Sequence, residues 1–284
     1  MEDSKPFSVS IILRTRNEAR HLAATLSAIR AQEYPGAVEC IVIDSCSTDE
    51  TRAIARRWGC EKLLLISRAD FSFGRALNRA AEQARGDILV ALSAHARPAD
   101  ERWLAHLLRP FANPRVGGVY GRQLPYPDAY PPLVVDCQRW YGEVRLTHET
   151  VEQAFFSNAN SAWRRTLWQQ LPFDETLPAC EDQAWARQVI ERGHCIVYEP
   201  LAAVYHSHNE PFWQVYNRQA REERGRRQIM PDRRVTCRDF LADWYQACRT
   251  DARHILATRR QWLWLVLSPC YRFCWSFGRW CIGT

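Results

Sequence analysis

The chain opens on a strand-length apolar run at residues 8–13 (SVSIIL), after which the hydrophobic period changes. Leu22, Leu26 and Ile29 recur at helical spacing, so a buried strand followed by an amphipathic helix is predicted. The alternation then repeats. CIVID at 40–44 reads as a strand, 51–58 as a helix, KLLLI at 62–66 as a strand, 75–84 as a helix and DILVAL at 87–92 as a strand. Short apolar strands separated by helices are the pattern of a parallel sheet with crossover helices on its faces.

Near residue 120 the pattern shifts. Residues 121–132 (GRQLPYPDAYPP) hold four prolines in twelve positions, which predicts neither helix nor central strand. Helices are expected at 161–170 and 182–192, then a short strand in CIVYEP and another ending in VYHSH. From Phe212 onward the pattern is helical and polar, and REERGRR at 221–227 reads as a solvated or anion-facing stretch.

In an open parallel sheet, ligands bind outside the carboxyl ends of the strands. Those ends here are Thr15-Arg16-Asn17-Glu18, Asp44-Ser45-Cys46-Ser47-Thr48-Asp49, Ser67-Arg68-Ala69-Asp70 and Ser93-Ala94-His95. Four polar ends together point to one polar cleft. Thr15-x-x-Glu18 and Ser47-x-x-Glu50 also read as capping boxes at helix starts. Asp44 precedes its cap, at the strand terminus, and is read as a ligand contact. Glu181-Asp182 opens a helix that Gly193 stops. Carboxylates there are expected to be held ionised by the helix dipole, the state a general base needs. His206-Ser207-His208 places two imidazoles on one face if its strand continues.

Composition narrows the class. Length (284 residues), 46% apolar and 25% charged residues describe an ordinary globular chain. Its start, MEDSKPFSVS, is unlike a secretory signal, and no run reaches the roughly 18 apolar residues of a spanning helix. The eleven cysteines include no CxxC pair and read as reduced thiols of a cytosolic protein. Residues 1–210 carry 24 basic and 26 acidic side chains (24 − 26 = −2), whereas 211–284 carry 14 and 6 (14 − 6 = +8). This predicts two domains, 1–210 and a basic, aromatic helical extension over 211–284. The tail QWLWLVLSPCYRFCWSFGRW, interrupted by Pro269, Arg272 and Arg279, reads as a helix in a membrane interface, or one packed on the body or in a homodimer. Nucleic-acid binding is not expected, because the arginines of 218–238 are mixed with acids and no recognition motif is present.

The stretches SVSIILRTRNEARHLAATLSAIRAQEYPGAVECIVIDSCSTDET, FGRALNRAAEQARGDILVALSAHARP and FSNANSAWRRTLWQQLPFDETLPACEDQAWARQVIERG, ending in VYHSH, resemble family 2 glycosyltransferases. The likeness is strongest to bacterial rhamnosyltransferase-type enzymes and covers about residues 7–210. It implies the GT-A fold, an α/β architecture with a mostly parallel central sheet flanked by helices, here with a helical C-terminal extension. It implies an inverting transfer from a UDP- or dTDP-sugar to a hydroxyl of a glycan or lipid-linked acceptor in cell-surface polysaccharide synthesis. The enzyme would be cytoplasmic, at the inner membrane face if the tail binds lipid.

By the same resemblance, Thr15, Arg16, Glu18, Asp44, Arg68, Gly74, Arg75, Asn78, Ser93, Ala94 and His95 would contact the nucleotide-sugar, and Asn158 and Asn160 the acceptor side. Asp182 would be the base, with Glu181 beside it. The family's Asp-x-Asp metal motif is replaced by Ser93-Ala94-His95. A divalent cation, Mn²⁺ or Mg²⁺, would then be held by His95 with His206 and His208, and imidazole favours Mn²⁺. The missing carboxylates also raise a competing reading, a nucleotide-sugar-binding module without catalysis.

Overall fold

Each apolar run becomes a strand because it can be buried on both sides only inside a sheet. A computed structural model describes residues 5–231 and 236–282, so the start and end of the chain and residues 232–235 of the arginine-rich stretch lie outside the described residues. The described chain divides into two compact units, one of residues up to 123, 142–176 and 181–206, the other of 124–141, 177–180 and 207 onward.

The first unit begins β1 (Val9–Thr15), α1 (Ala19–Arg30), β2 (Val38–Asp44), α2 (Thr51–Arg57), β3 (Lys62–Leu65), α3 (Phe73–Glu82), β4 (Ile88–Ser93). β5 (Arg97–Pro98), α4 (Trp103–Leu108) and β6 (Val116–Leu124) follow. In the second unit comes α5 (Pro131–Trp140), and the chain returns to the first for β7 (Leu146–His148), β8 (Asn160–Arg164), α6 (Arg165–Gln170), α7 (Glu181–Glu191) and β9 (Cys195–Tyr205). The second unit ends with α8 (Phe212–Ile229), α9 (Cys237–Thr258) and α10 (Trp264–Trp280).

The nine strands form one sheet in the order β3-β2-β1-β4-β8-β6-β9-β5, with β7 on β9. The half that the alternation predicts is parallel: β1 pairs with β2 and β4, and β2 with β3. Beyond β4 the pairing turns antiparallel through β8, so the sheet is mixed. Val9, Ile11, Leu13, Val42, Val90 and Leu92 meet Leu22, Leu26 and Ile29 of α1 in a single core, which fixes the register and brings the polar strand ends to one edge.

Three local expectations are corrected. Residues 121–124 form the end of β6, a central strand; the prolines begin only at 125, and Pro131 and Pro132 start α5, where a missing N–H costs nothing. The segment 161–170 is half strand: β8 fits between β4 and β6, and the helix α6 begins only at Arg165. The two short strands around Pro200 are one strand, β9, which ends at Tyr205, so His206 and His208 stand beyond the strand and not on its face.

In the second unit α10 packs on α8 and α9, and Leu133, Val215, Ile255, Trp264 and Tyr271 form its core. Arg272 is buried in that unit and does not interrupt an apolar face toward solvent. Its guanidinium takes Asp251 on α9 (2.7 and 2.8 Å), Asp136 on α5 (2.8 and 2.9 Å) and the Pro132 carbonyl (2.9 Å). Among the described residues no helix is long and apolar enough to cross a membrane.

Candidate active site

The loops after β1 and β2 hold each other. Asp44 is fully buried and accepts from Thr15 Oγ1 (3.0 Å), the Ser47 N–H (2.9 Å) and Ser47 Oγ. Ser47 Oγ accepts the Asn17 N–H, and Asn17 Oδ1 accepts the Thr48 N–H (2.8 Å). The capping-box reading is therefore corrected. Glu18 and Glu50 are themselves the N-cap residues and give no side-chain cap, and Thr15 and Ser47 turn to Asp44. The α1 N-terminus is served instead by Asp49, which accepts the Ala19 N–H (3.1 Å), and by Thr51, which accepts that of Glu18 (2.7 Å). Cys46 sits at φ 55° and Cys180, just before α7, at φ 65°. Left-handed non-glycine residues are strained and concentrate at functional sites.

The arginine-bearing segment also has an internal job. Asn78 is buried; its amide nitrogen donates to the Phe173 carbonyl (2.8 Å) and Glu175 (3.0 Å), and its oxygen accepts from Trp168 (2.9 Å) and the Phe173 N–H (3.1 Å). A Cβ at Gly74 would collide with the Asp174 carbonyl, so the close backbone approach there is to the protein itself. Both residues thus fix the loop 173–175 against α3. Arg75 pairs with Glu175 (2.7 Å), while Arg16 and Arg68 stand exposed after β1 and β3. Asn160 is likewise a buried tie, accepting from Trp103 (2.9 Å) and donating to the Ala202 carbonyl (2.8 Å).

Arg14 joins the strand ends to α7. It lies in β1 opposite Ser93 of β4, stacks over Phe73 at 5.0 Å and reaches Glu181 Oε1 at 3.2 Å. Glu181 is buried and also accepts from Asn158 Nδ2 (3.3 Å). Asp182, partly accessible, accepts the Asn158 N–H (3.1 Å) and the Gln183 N–H (2.8 Å). Asn158 thus clamps both carboxylates, and Ser161 Oγ donates to its oxygen (2.9 Å). Burial, then the like charge of Glu181, push the Asp182 carboxyl up to about 7, against its two N–H bonds and Arg14, which pull it down. The helix N-terminus therefore does not keep it fully ionised. A base poised near neutral pH is the more useful state for proton transfer.

Ser93 ends β4, and Ala94 and His95 follow it. His95 Nδ1 meets Glu18 Oε1 at 2.9 Å, with Ser93 Oγ at 3.3 Å, and Ala94 is buried, its carbonyl accepting from Thr25. His206 stacks on His95 with centroids 4.8 Å apart and 12° between planes, and its Nδ1 faces Gln123 Oε1 at 2.7 Å. In each case an oxygen acceptor faces Nδ1, which orients the ring, and Ser93 Oγ lies 3.3 Å from both ring nitrogens of His95. Two imidazoles so fixed suit a borderline cation such as Mn²⁺ better than Mg²⁺. His208 follows two residues on, in the second unit.

Sequence reasoning missed Arg14, Gln123 and His21, whose ring lies edge-on to His95 at 6.3 Å. Arg14 carried a signal, a charge inside a buried strand that demands an anionic partner. Gln123 and His21 carried none, since only the fold brings 21, 95, 123 and 206 together.

The whole described architecture, sheet and helices, is that of GT-A enzymes. A mannosyltransferase from Pyrobaculum calidifontis, solved with GDP-Man and Mn²⁺, is similar at TM-score 0.65 and 20% identity, over 98% of this chain and 88% of that one. TarS residues 1–349 of S. aureus, solved with UDP-GlcNAc, matches at TM-score 0.57 and 16% identity over 96% and 90%. In sequence, residues 10–167 match the family model of glycosyl transferase family 2, and the chain belongs to that family; it is a glycosyltransferase. The O-antigen chain rhamnosyltransferase RfbN of Salmonella typhimurium is 32% identical over 212 residues, 71% of this chain and 67% of RfbN. WbaN of Salmonella anatum, of the same description, is 34% identical over 181 residues, 60% of this chain and 57% of WbaN.

Proposed function

We propose that this chain is an inverting rhamnosyltransferase of cell-surface polysaccharide synthesis, moving the sugar from a UDP- or dTDP-linked donor to a hydroxyl of a glycan or lipid-linked acceptor. The observation that carries the reading is the clamped pair Glu181–Asp182, tied through Arg14 to the strand ends where a parallel sheet takes its ligand. The names of the two Salmonella relatives support the sugar and the setting.

In the proposed reaction Asp182 takes the proton of the acceptor hydroxyl. The oxygen attacks the anomeric carbon from the face opposite the diphosphate, the bond from that carbon to the phosphate oxygen breaks, and the electron pair leaves with the nucleoside diphosphate. Asn158 holds Asp182 in place, and the like charge of Glu181 keeps its basicity high. Arg16 and Arg68, exposed after β1 and β3, would answer the departing charge, since charge-assisted pairs with phosphate are strong. His95 and His206 would hold a divalent cation. When bound, that ion neutralises charge on the diphosphate.

The test is a transfer assay with full-length protein, a panel of UDP- and dTDP-sugars including rhamnose, and glycan and lipid-linked acceptors. The expected result is acceptor-dependent release of nucleoside diphosphate and an inverted anomeric centre by NMR. Retention of configuration, or no transfer from any donor, rejects the proposal. For the cation, Mn²⁺ with a nucleoside diphosphate should raise the Tm of the wild type by about the equivalent of 2–3 kcal/mol at a hundredfold excess over Kd. In the His95→Ala/His206→Ala variant this rise should vanish, and a rise unchanged by the double substitution removes the histidines from the site.

A further inference from the structure

α10 buries Trp264 and Tyr271 in the core of its unit, yet it also turns polar residues inward and apolar ones outward. Ser268, Arg272, Ser276 and Gly278 point inward and are buried, while Leu263 (68% exposed), Val266 (72%), Cys270 and Phe273 stand outward. Their spacing, i, i+3, i+7 and i+10, puts all four on one stripe. Trp262, 51% exposed, extends it at the helix start, and a groove of about 240 Å³ lined by Tyr245, Arg249, Ala252, Leu265 and Pro269 continues it onto α9, where Tyr245 is itself exposed. A contiguous apolar patch of this kind marks an interaction surface.

Its rim is basic. Arg249, Arg253, Arg259 and Arg260 are exposed, and among the described residues none makes an ion pair, whereas Arg218, Arg226, Arg272 and Arg279 of the same unit are all paired with carboxylates. Arg259 and Gln261 both take left-handed backbone (φ 52° and 56°), so the turn between α9 and α10 presents Arg259, Arg260, Trp262 and Leu263 together at its tip.

We propose that this face docks the protein on an anionic phospholipid surface, without crossing it. Leu263, Val266 and Phe273 would enter the acyl boundary, Trp262 would sit at headgroup level, and the guanidinium groups would fork lipid phosphates. The rim argues against a second copy as the occupant, because in a two-fold pair the same unpaired arginines would approach one another. The proposal stands apart from the transferase reading, since vesicle binding is measured with neither donor nor acceptor.

The experiment is cosedimentation of the full chain with vesicles containing roughly 30% phosphatidylglycerol at about 0.1 M salt. Wild type is expected to sediment, and to do so at least about tenfold less with pure phosphatidylcholine or at about 0.5 M salt. Leu263→Glu/Val266→Glu and Arg259→Glu/Arg260→Glu, all at exposed positions, should keep the wild-type circular dichroism and each lose at least about tenfold in binding. The proposal is overturned if wild type stays in the supernatant, or if both double variants sediment as wild type does. It is equally overturned if light scattering shows a wild-type dimer that Leu263→Glu/Val266→Glu turns into a monomer while vesicle binding is unchanged.

Discussion

Asp182→Asn should leave nucleoside diphosphate binding intact and lower the transfer rate by about 10³-fold, within the range that general bases contribute. The wild-type kcat/KM should rise with pH and level off above about 7, because only the ionised carboxylate accepts a proton and burial beside Glu181 sets its pKa there. Glu181→Gln removes the like charge, so the rising limb should move to lower pH. Stability gives an independent check with the opposite sense. The folded-state pKa of Asp182 lies above the ordinary 3.8, so the native state holds the extra proton between about pH 4 and 7, and wild-type stability falls as pH rises through that window. A raise of that size corresponds to roughly 4 kcal/mol, at 1.36 kcal/mol per unit. Asp182→Asn escapes this loss. Its Tm should exceed that of the wild type by several degrees at pH 8, and the difference should close below pH 4. Near-normal transfer by Asp182→Asn, or a pH profile flat from 5 to 9, would remove this residue from the base role.

Arg272→Met should cost about 3–5 kcal/mol at pH 7.5, a large part of the stability of a typical domain. One guanidinium answers two carboxylates here, and Asp251 has no access to water. Without it the two acids face each other uncompensated. Burial already pushes the Asp136 carboxyl up even with Arg272 beside it, so the variant should regain part of its stability as pH falls and that acid protonates. Replacing the whole cluster, Asp136→Leu/Asp251→Leu/Arg272→Met, should return stability to near the wild-type value, since apolar side chains carry no desolvation penalty. Urea unfolding followed by circular dichroism measures all three. A triple variant as unstable as the single one would show that packing, and not unpaired charge, is what Arg272 supplies.

The parallel half of the sheet was legible because β1 and β4 are buried on both faces and its helices on one. Those two conditions write different periods into the chain, as in SVSIIL followed by Leu22, Leu26 and Ile29. The antiparallel half was harder to read. Asn160–Arg164 carries a tryptophan and an arginine that suit either a helix or a strand, and only its place between β4 and β6 decides. Gly121–Gln123 was hidden by the prolines that follow, although a proline affects pairing only from its own position onward.

The carboxylate pair and the histidine triplet were marked in the sequence as polar residues where apolar runs stop. Their roles split when neighbours arrived. Asp44, Asn78 and Asn160 are buried ties; Ser47 beside Asp44 is a near partner, but Thr15, Glu175, Trp103 and Ala202 come from segments 29 to 97 positions away. A residue type tells which bonds a side chain is able to make, and the fold tells which it makes.

By itself, then, the sequence determined the order of buried and exposed segments, the family, and the residues able to carry charge or accept a proton, because burial pattern and side-chain chemistry are local properties. The tertiary structure alone decided that Arg14 neutralises Glu181, that Asp182 titrates near neutrality, that Gln123 and Glu18 orient two stacked imidazoles, and that Arg272 turns inward while Leu263 and Val266 turn out. Each of these depends on distance through space and on exclusion of water, and neither quantity exists until the chain has folded.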